Sequence, residues 1–220
     1  ILLCMTMICG TISFSIEADA TESSNVTGET ESVLTGKSIL FAGDSITKAG
    51  TDDGDRVGWA QIIGDTYNMT WTNAGVSGAS ISTVRDKRVL TQLEANKETS
   101  YDYVILHGGV NDAWNSASVG AISTSFDVDV FDTSTFAGGL EELFYYACEY
   151  YEGARIGYIV NFAMPNSSVK NLRDMSAYFN VAEQICDKWN IPYIDLYSGS
   201  VEVEGQTLSY SYDILQVDEC

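Results

Sequence analysis

Five short apolar runs recur along the chain, separated by longer stretches whose apolar residues repeat at helical spacing, and this alternation constrains the fold most. Ser38 to Ala42, Met69 to Thr72, Tyr103 to Leu106, Arg155 to Phe162 and Ile191 to Leu196 have strand length. Trp59, Ile62, Ile63 and Tyr67 have the spacing of one helical face, as do Phe136, Leu140, Leu143, Phe144, Ala147 and Tyr151. A third face comprises Leu172, Met175, Phe179, Ala182, Ile185 and Trp189, and Asp132 to Thr135 offer N-cap candidates for the second. Strands separated by helices pair in parallel, and a parallel sheet must be covered on both faces. The pattern predicts an α/β chain built on a five-stranded parallel sheet.

With 220 residues, 45% of them hydrophobic, the chain has apolar material for one sizeable core. Its net charge of -20 repels nucleic acid and anionic membrane surfaces at long range, so neither is expected as a partner. Ile1 to Ile16 carries no charge and is followed by Ala18-Asp19-Ala20, the small-x-small pattern of a signal-peptidase site. Residues 1–20 therefore read as part of an export signal that begins upstream, too short for the roughly 18 to 20 apolar residues of a membrane-spanning helix. The expected location is secreted or extracytoplasmic, without stable membrane insertion. Residues 21–35, rich in Thr, Ser and Glu, read as a flexible linker, and residues 36–220 as one domain.

Cys4 and Cys9 would leave with the signal, and Cys148, Cys186 and Cys220 would remain. An odd count in an exported chain means a free thiol, an intermolecular pair or further sequence. Cys186 shares the apolar helical face with Ala182, so Cys148 and Cys186 are expected as separate buried thiols. No Cys/His cluster suggests a metal, and no cofactor is expected.

The residues after the strands carry the chemistry. The first strand stops at Gly43, and Ser45 follows where the chain must turn. A serine there is a turn residue, a helix N-cap or a nucleophile facing the crevice at the carboxyl ends of the strands. Asn73-Ala74-Gly75-Val76-Ser77-Gly78 follows the second strand, and His107-Gly108-Gly109-Val110-Asn111-Asp112 the third. A phosphate cradle would need the Walker Lys-Ser/Thr or a third dinucleotide-loop glycine, and neither is present. A serine hydroxyl, a backbone N–H at a glycine and an asparagine amide on one sheet edge are instead the parts of an acyl-transfer site.

Gly43-Asp44-Ser45-Ile46, Asn73-Ala74-Gly75 and Gly109-Val110-Asn111-Asp112 together resemble, in order and spacing, the first three blocks of the SGNH (GDSL-like) hydrolase family. The resemblance covers the chain from about Lys37 and implies a flavodoxin-like three-layer α/β/α sandwich. It implies Ser45 as nucleophile, with the Ser45 N–H, the Gly75 N–H and the Asn111 side chain as oxyanion hole, and Asp44 as support of the turn. Ile46 stands where the family name has Leu.

The family also needs an Asp-x-x-His block near its C-terminus, and His107 is the only histidine in this sequence. His107 lies in the third block, where the family does not place its base, and is expected as a satisfied strand-end histidine. Ile214-Leu215-Gln216-Val217-Asp218-Glu219-Cys220 resembles the approach to the last block. Asp218 would then be the triad acid, with the histidine one residue past Cys220; read on its own, Asp218-Glu219 is an acidic tail. The implied activity is an exported serine esterase acting on short acyl or carbohydrate O-acetyl esters. The alternative is a catalytically inactive module of the same fold that binds glycans or another protein.

Overall fold

The computed structural model describes residues 31–49, 57–161, 175–198, 200–203 and 206–209. Their elements in chain order are β1 (Ser38–Ala42), α1 (Ser45–Lys48), α2 (Trp59–Thr66), β2 (Thr70–Asn73), α3 (Val89–Asn96), β3 (Tyr103–His107) and α4 (Val110–Trp114). There follow α5 (Phe136–Tyr150), β4 (Arg155–Val160), α6 (Ser176–Trp189), β5 (Tyr193–Asp195), β6 (Ser200–Val203) and β7 (Gln206–Ser209).

Five strands form one sheet in the order β2-β1-β3-β4-β5, and every pair in it is parallel. This is the five-stranded doubly wound arrangement expected, with the order that flavodoxin-like folds share. Ile39 is in register with Trp71 on one side and Tyr103 on the other, so β1 is an interior strand. β6 and β7 pair antiparallel with each other, a hairpin outside that sheet.

Alternation along the strands divides the core in two. Leu40, Ala42, Val104, Leu106, Tyr158 and Val160 pack with Val89, Leu90 and Leu93 of α3, with α5 from Phe136 to Ala147, and with Phe179, Ala182 and Ile185 of α6. Ile39, Phe41 and Ile105 face the other way, onto Trp59, Ala60 and Ile63 of α2. The result is three layers, α/β/α. Thr135 supplies the predicted cap of α5, its side chain accepting from the Gly138 N–H.

Helix α2 turns Trp59 and Ile63 of the predicted face inward, while Ile62 and Tyr67 are exposed. Gly64 rather than Tyr67 carries the contact with the sheet: a Cβ at Gly64 would lie 2.1 Å from Trp71 Cδ1, whereas Ile62 is 52% exposed. Close approach to the Trp71 ring fixes the rotation of the helix. Helix α3 has no counterpart in the apolar pattern read from the sequence. Cys186 is fully buried, and burial, more than its acidic neighbours, pushes its thiol up to about 12. Cys148 is half-buried, so it does not share the full burial expected of both thiols.

A buried ion pair fixes the long segment between α4 and α5. Lys188 of α6 pairs with Glu141 of α5, which is fully buried, and also donates to the carbonyls of Ser123 and Ser125. The second Glu141 oxygen accepts from the Ser123 N–H at 2.9 Å, and Phe126, Phe131 and Trp189 surround the ammonium. With these partners the two charges stay hydrogen-bonded out of water, the condition under which a buried pair is tolerated.

Candidate active site

Connection direction places the site. From β1 the chain crosses outward to β2, then returns past β1 to β3, so the connections on either side of the β1/β3 border lead away in opposite senses. Such a border leaves a crevice at the carboxyl ends of the strands. Ser45 follows β1 and Asn111 follows β3, so sheet order brings the first and third motifs to one edge.

The turn after β1 is held from several sides. A Cβ at Gly43 would lie 2.2 Å from Thr47 Oγ1 and 2.7 Å from the His107 carbonyl, so only glycine fits. The buried Gln92 amide of α3 brackets the same residue: the Gly43 N–H donates to Oε1 at 2.8 Å, and Nε2 donates to the Gly43 carbonyl at 2.8 Å. Asp44 is fully buried and caps α1 by accepting from the Ile46 N–H at 2.9 Å. Trp59 Nε1 donates to the Ile46 carbonyl, and Asn73 Nδ2 to that of Thr47. Ser45, first residue of α1, is left exposed on this rigid turn.

His107 belongs to the support beneath the turn. Its ring is 2% exposed, with Nδ1 2.9 Å from Thr47 Oγ1 and the Trp59 ring edge-on to it. Burial lowers its pKa, against the opposing pull of the Asp44 charge and of the Asn161 side chain. Burial likewise raises Asp44, against the His107 charge and the Ile46 N–H. The ring is buried as a strand-end histidine, but only Nδ1 has a close partner, in Thr47 Oγ1, and the buried Nε2 lacks one, so the full satisfaction expected is not met.

The loop after β2 differs in one respect from the expected oxyanion geometry. The Gly75 N–H donates to Asn73 Oδ1 at 3.0 Å, and Gly75 is glycine because a Cβ would lie 2.5 Å from the Lys48 nitrogen. Three residues on, Gly78 has φ +81 and its N–H has no partner among the described residues. Asn111 is 8% exposed and donates from Nδ2 to the Ala79 carbonyl at 2.8 Å, leaving the second hydrogen of that nitrogen for another acceptor. The fully buried Asp112 accepts from the Ile81 and Ser82 N–H groups, both at 2.8 Å, and from Ser82 Oγ at 2.6 Å. Burial raises its pKa in spite of these bonds, which lower it. Asn111 and Asp112 thus pin the second motif's loop to the third.

Asp218 lies outside the described residues, as do Cys4, Cys9 and Cys220. Among the described residues no cluster of three or more His, Cys, Asp or Glu is arranged to hold a metal ion. No described helix is long and apolar enough to cross a membrane. A shallow depression of about 430 Å³ lined by Cys186, Asp187 and Tyr193 lies before β5, at the end of the sheet opposite Ser45.

Three contributors escaped the sequence reading. Gln92 gave no signal, being a lone amide in a short helix without a side-chain cap. Asp112 stands in the sequence only as the last residue of the third motif, with nothing to mark it as a buried acceptor. In the sequence Gly78 is one of two loop glycines that a phosphate cradle would use, and its positive φ, a common reason for a loop glycine, shows only in the fold.

Comparison with known proteins agrees with this fold. No curated protein matches the chain. A protein from Lactobacillus plantarum aligns over 74% of this chain and 78% of its own, with TM-score 0.60 and 21% identity. A candidate lipase from Chitinophaga pinensis aligns over 83% of this chain and 82% of its own, with TM-score 0.59 and 17% identity. A candidate GDSL-like lipase from Bacteroides uniformis does so over 80% and 89%, with TM-score 0.54 and 16% identity. At these identities the likeness is one of fold. The model of the GDSL-like lipase/acylhydrolase family matches residues 41–214, which include all three motifs at the crevice. The chain therefore belongs to the GDSL-like lipase/acylhydrolase family and is a hydrolase of ester type.

Proposed function

We propose that this protein is an exported serine esterase that cleaves short acyl or carbohydrate O-acetyl esters through an acyl-serine intermediate. The observation that carries the reading is the exposed Ser45 on a turn held from several sides, on the same sheet edge as a buried Asn111 amide with a donor to spare. Ser45 Oγ attacks the ester carbonyl carbon as its proton passes to a base, and the alcohol then leaves with a proton. Water next attacks the acyl-serine, releasing the acid and restoring the hydroxyl. The carbonyl oxygen, negative in each tetrahedral intermediate, accepts from the Ser45 N–H and Asn111 Nδ2; one such donor is worth roughly 2.7 to 4 kcal/mol.

For the third donor, the loop supports Gly78 over Gly75. The Gly75 N–H would first have to leave Asn73 Oδ1, whereas the Gly78 N–H loses nothing. Asp218 remains our proposal for the acid that orients the base, from its resemblance to the family's last block. Export rests on the charge-free stretch from Ile1 to Ile16 and on Ala18-Asp19-Ala20. Trp114, 45% exposed on α4 one turn from Asn111, suits stacking against a sugar ring, which favours the carbohydrate ester.

A serine-reactive fluorophosphonate, applied to the full-length protein, tests this. Wild type is expected to be labelled at Ser45 and to hydrolyse 4-nitrophenyl acetate. Ser45→Ala is expected to lose the label and about 10⁶-fold in turnover at an unchanged melting temperature. An unlabelled wild type would point to the inactive binding module instead.

A further inference from the structure

Most described cations are already engaged. Lys37 pairs with Asp102, Arg88 with Glu142 and the Ile81 carbonyl, and Lys188 with Glu141. Arg155 lies over the Tyr103 ring and Lys97 over Tyr150. Arg85 is different. It is exposed, has no carboxylate partner among the described residues, and is held only by a 3.2 Å bond from Nη1 to Asn115 Oδ1.

That one bond fixes its position at the crevice. Asn115 caps α4 and donates from Nδ2 to the Asn111 carbonyl at 2.6 Å, so the guanidinium hangs from the helix that carries the oxyanion amide. On the other side it lies over Gly78. A Cβ there would be 3.5 Å from Nη2 and 3.8 Å from both Cζ and Nε, so the group passes close over the loop on its Nε and Nη2 side. Nη1 is bonded to Asn115, while Nε and Nη2 have no hydrogen-bond partner among the described residues, so their N–H groups are left for a ligand at the Gly78 loop. An arginine edge presents two parallel N–H groups, the match for a carboxylate.

We infer that Arg85 is a specificity residue that selects esters bearing a carboxylate on the acyl or the alcohol half, within reach of the Ser45 crevice. The net charge of -20 does not oppose this at contact, because salt screens the distant charges over about 8 to 10 Å while the guanidinium acts directly. The inference rests on reading Ser45 as the nucleophile, and its test separates the two.

Three esters would be compared: neutral 4-nitrophenyl acetate, 4-nitrophenyl hemisuccinate with the acid on the acyl side, and 4-acetoxybenzoate with the acid on the alcohol side. For one of the acidic esters, the ratio of its kcat/KM to that of the neutral ester is expected to fall about 3- to 10-fold in Arg85→Gln, the range for a partly solvated charge contact. Lys87→Gln, which removes an equal charge two residues away, should leave that ratio in place. Which acidic ester responds tells which half carries the acid. A ratio unchanged in Arg85→Gln for both acidic esters, or lowered as much by Lys87→Gln, overturns the inference.

A second readout needs no turnover. The non-hydrolysable 4-acetamidobenzoate and N-(4-nitrophenyl)succinamate should between them shift the Gly78 amide and Arg85 Nε–H resonances of wild type, and neither should shift the Gly78 amide in Arg85→Gln. No shift with either acid in wild type overturns the assignment of Arg85. Failure of the fluorophosphonate to label Ser45 overturns the esterase reading and leaves this measurement to decide on Arg85.

Discussion

Asn111 and Asp112 are neighbours in sequence and do different work. The carboxylate has all its neighbours in place: two N–H groups and a hydroxyl from Ile81 and Ser82 meet its two oxygens. The amide is only half used, one N–H going to the Ala79 carbonyl. Asn111→Ala is therefore expected to lower kcat by about 10²- to 10³-fold with a smaller effect on KM, because an oxyanion donor acts mainly in the transition state. The lost bond to Ala79 should also cost about 1 kcal/mol of stability. Steady-state kinetics on the neutral ester, with a urea melt alongside, separates the two effects. An unchanged kcat in a folded variant would remove Asn111 from the hole.

At the scale of elements, α3 decides how firmly the turn that carries Ser45 is held. Gln92 is its only buried polar residue, and it sits opposite the Gly43 peptide, matching donor to acceptor and acceptor to donor. In Gln92→Leu the Gly43 carbonyl still accepts from the Val76 N–H, but the Gly43 N–H loses its partner in a buried setting. Stability should fall by about 1 to 3 kcal/mol by urea unfolding. Turnover should fall more than the melt predicts, because the turn bearing Ser45 shifts. A variant as stable and active as wild type would show the bracket to be dispensable. Here also lies the limit of what the sequence discloses. Strands announce themselves because β1 and β3 are buried on both faces and read as unbroken apolar runs. Ser45, Asn111 and the motif order are visible because each follows such a run. Gln92 is not, since an amide in a helix looks solvent-facing until a backbone turn from 49 residues away meets it. The occupied Gly75 N–H is hidden for the same reason: its partner, Asn73 Oδ1, is a side-chain choice that no spacing records.

The whole molecule stakes some of its stability on one imidazole. His107 is the only histidine in the sequence, and its pKa in the fold lies below the usual 6.5. The unfolded chain therefore takes up a proton near pH 6.5 that the folded one refuses, so stability is lost as pH falls from about 6.5 toward the lower folded value. Asp112 and Asp44 work in the opposite sense: burial raises their folded pKa values, so their contributions improve as pH falls through those values toward 3.8. Comparison with His107→Gln cancels Asp112 and keeps a hydrogen-bonding group near Thr47. The stability advantage of wild type over the variant should shrink by up to about 1.4 kcal/mol per pH unit below pH 6.5. A difference constant from pH 7.5 to 5.5, measured by urea unfolding, would show that the imidazole titrates alike folded and unfolded.

The Gln92 bracket has one more consequence. Hydrogen exchange at a backbone amide needs an opening that frees its proton, and the Gly43 proton is held by a residue of α3 instead of by its own strand. Unless the Gln92 side chain alone swings away from a fully packed setting, that opening has to separate α3 from β1, which means parting the core that Leu90 and Leu93 share with Leu40. The Gly43 amide is thus expected among the slowest to exchange, so the turn that carries Ser45 is set before any ligand arrives.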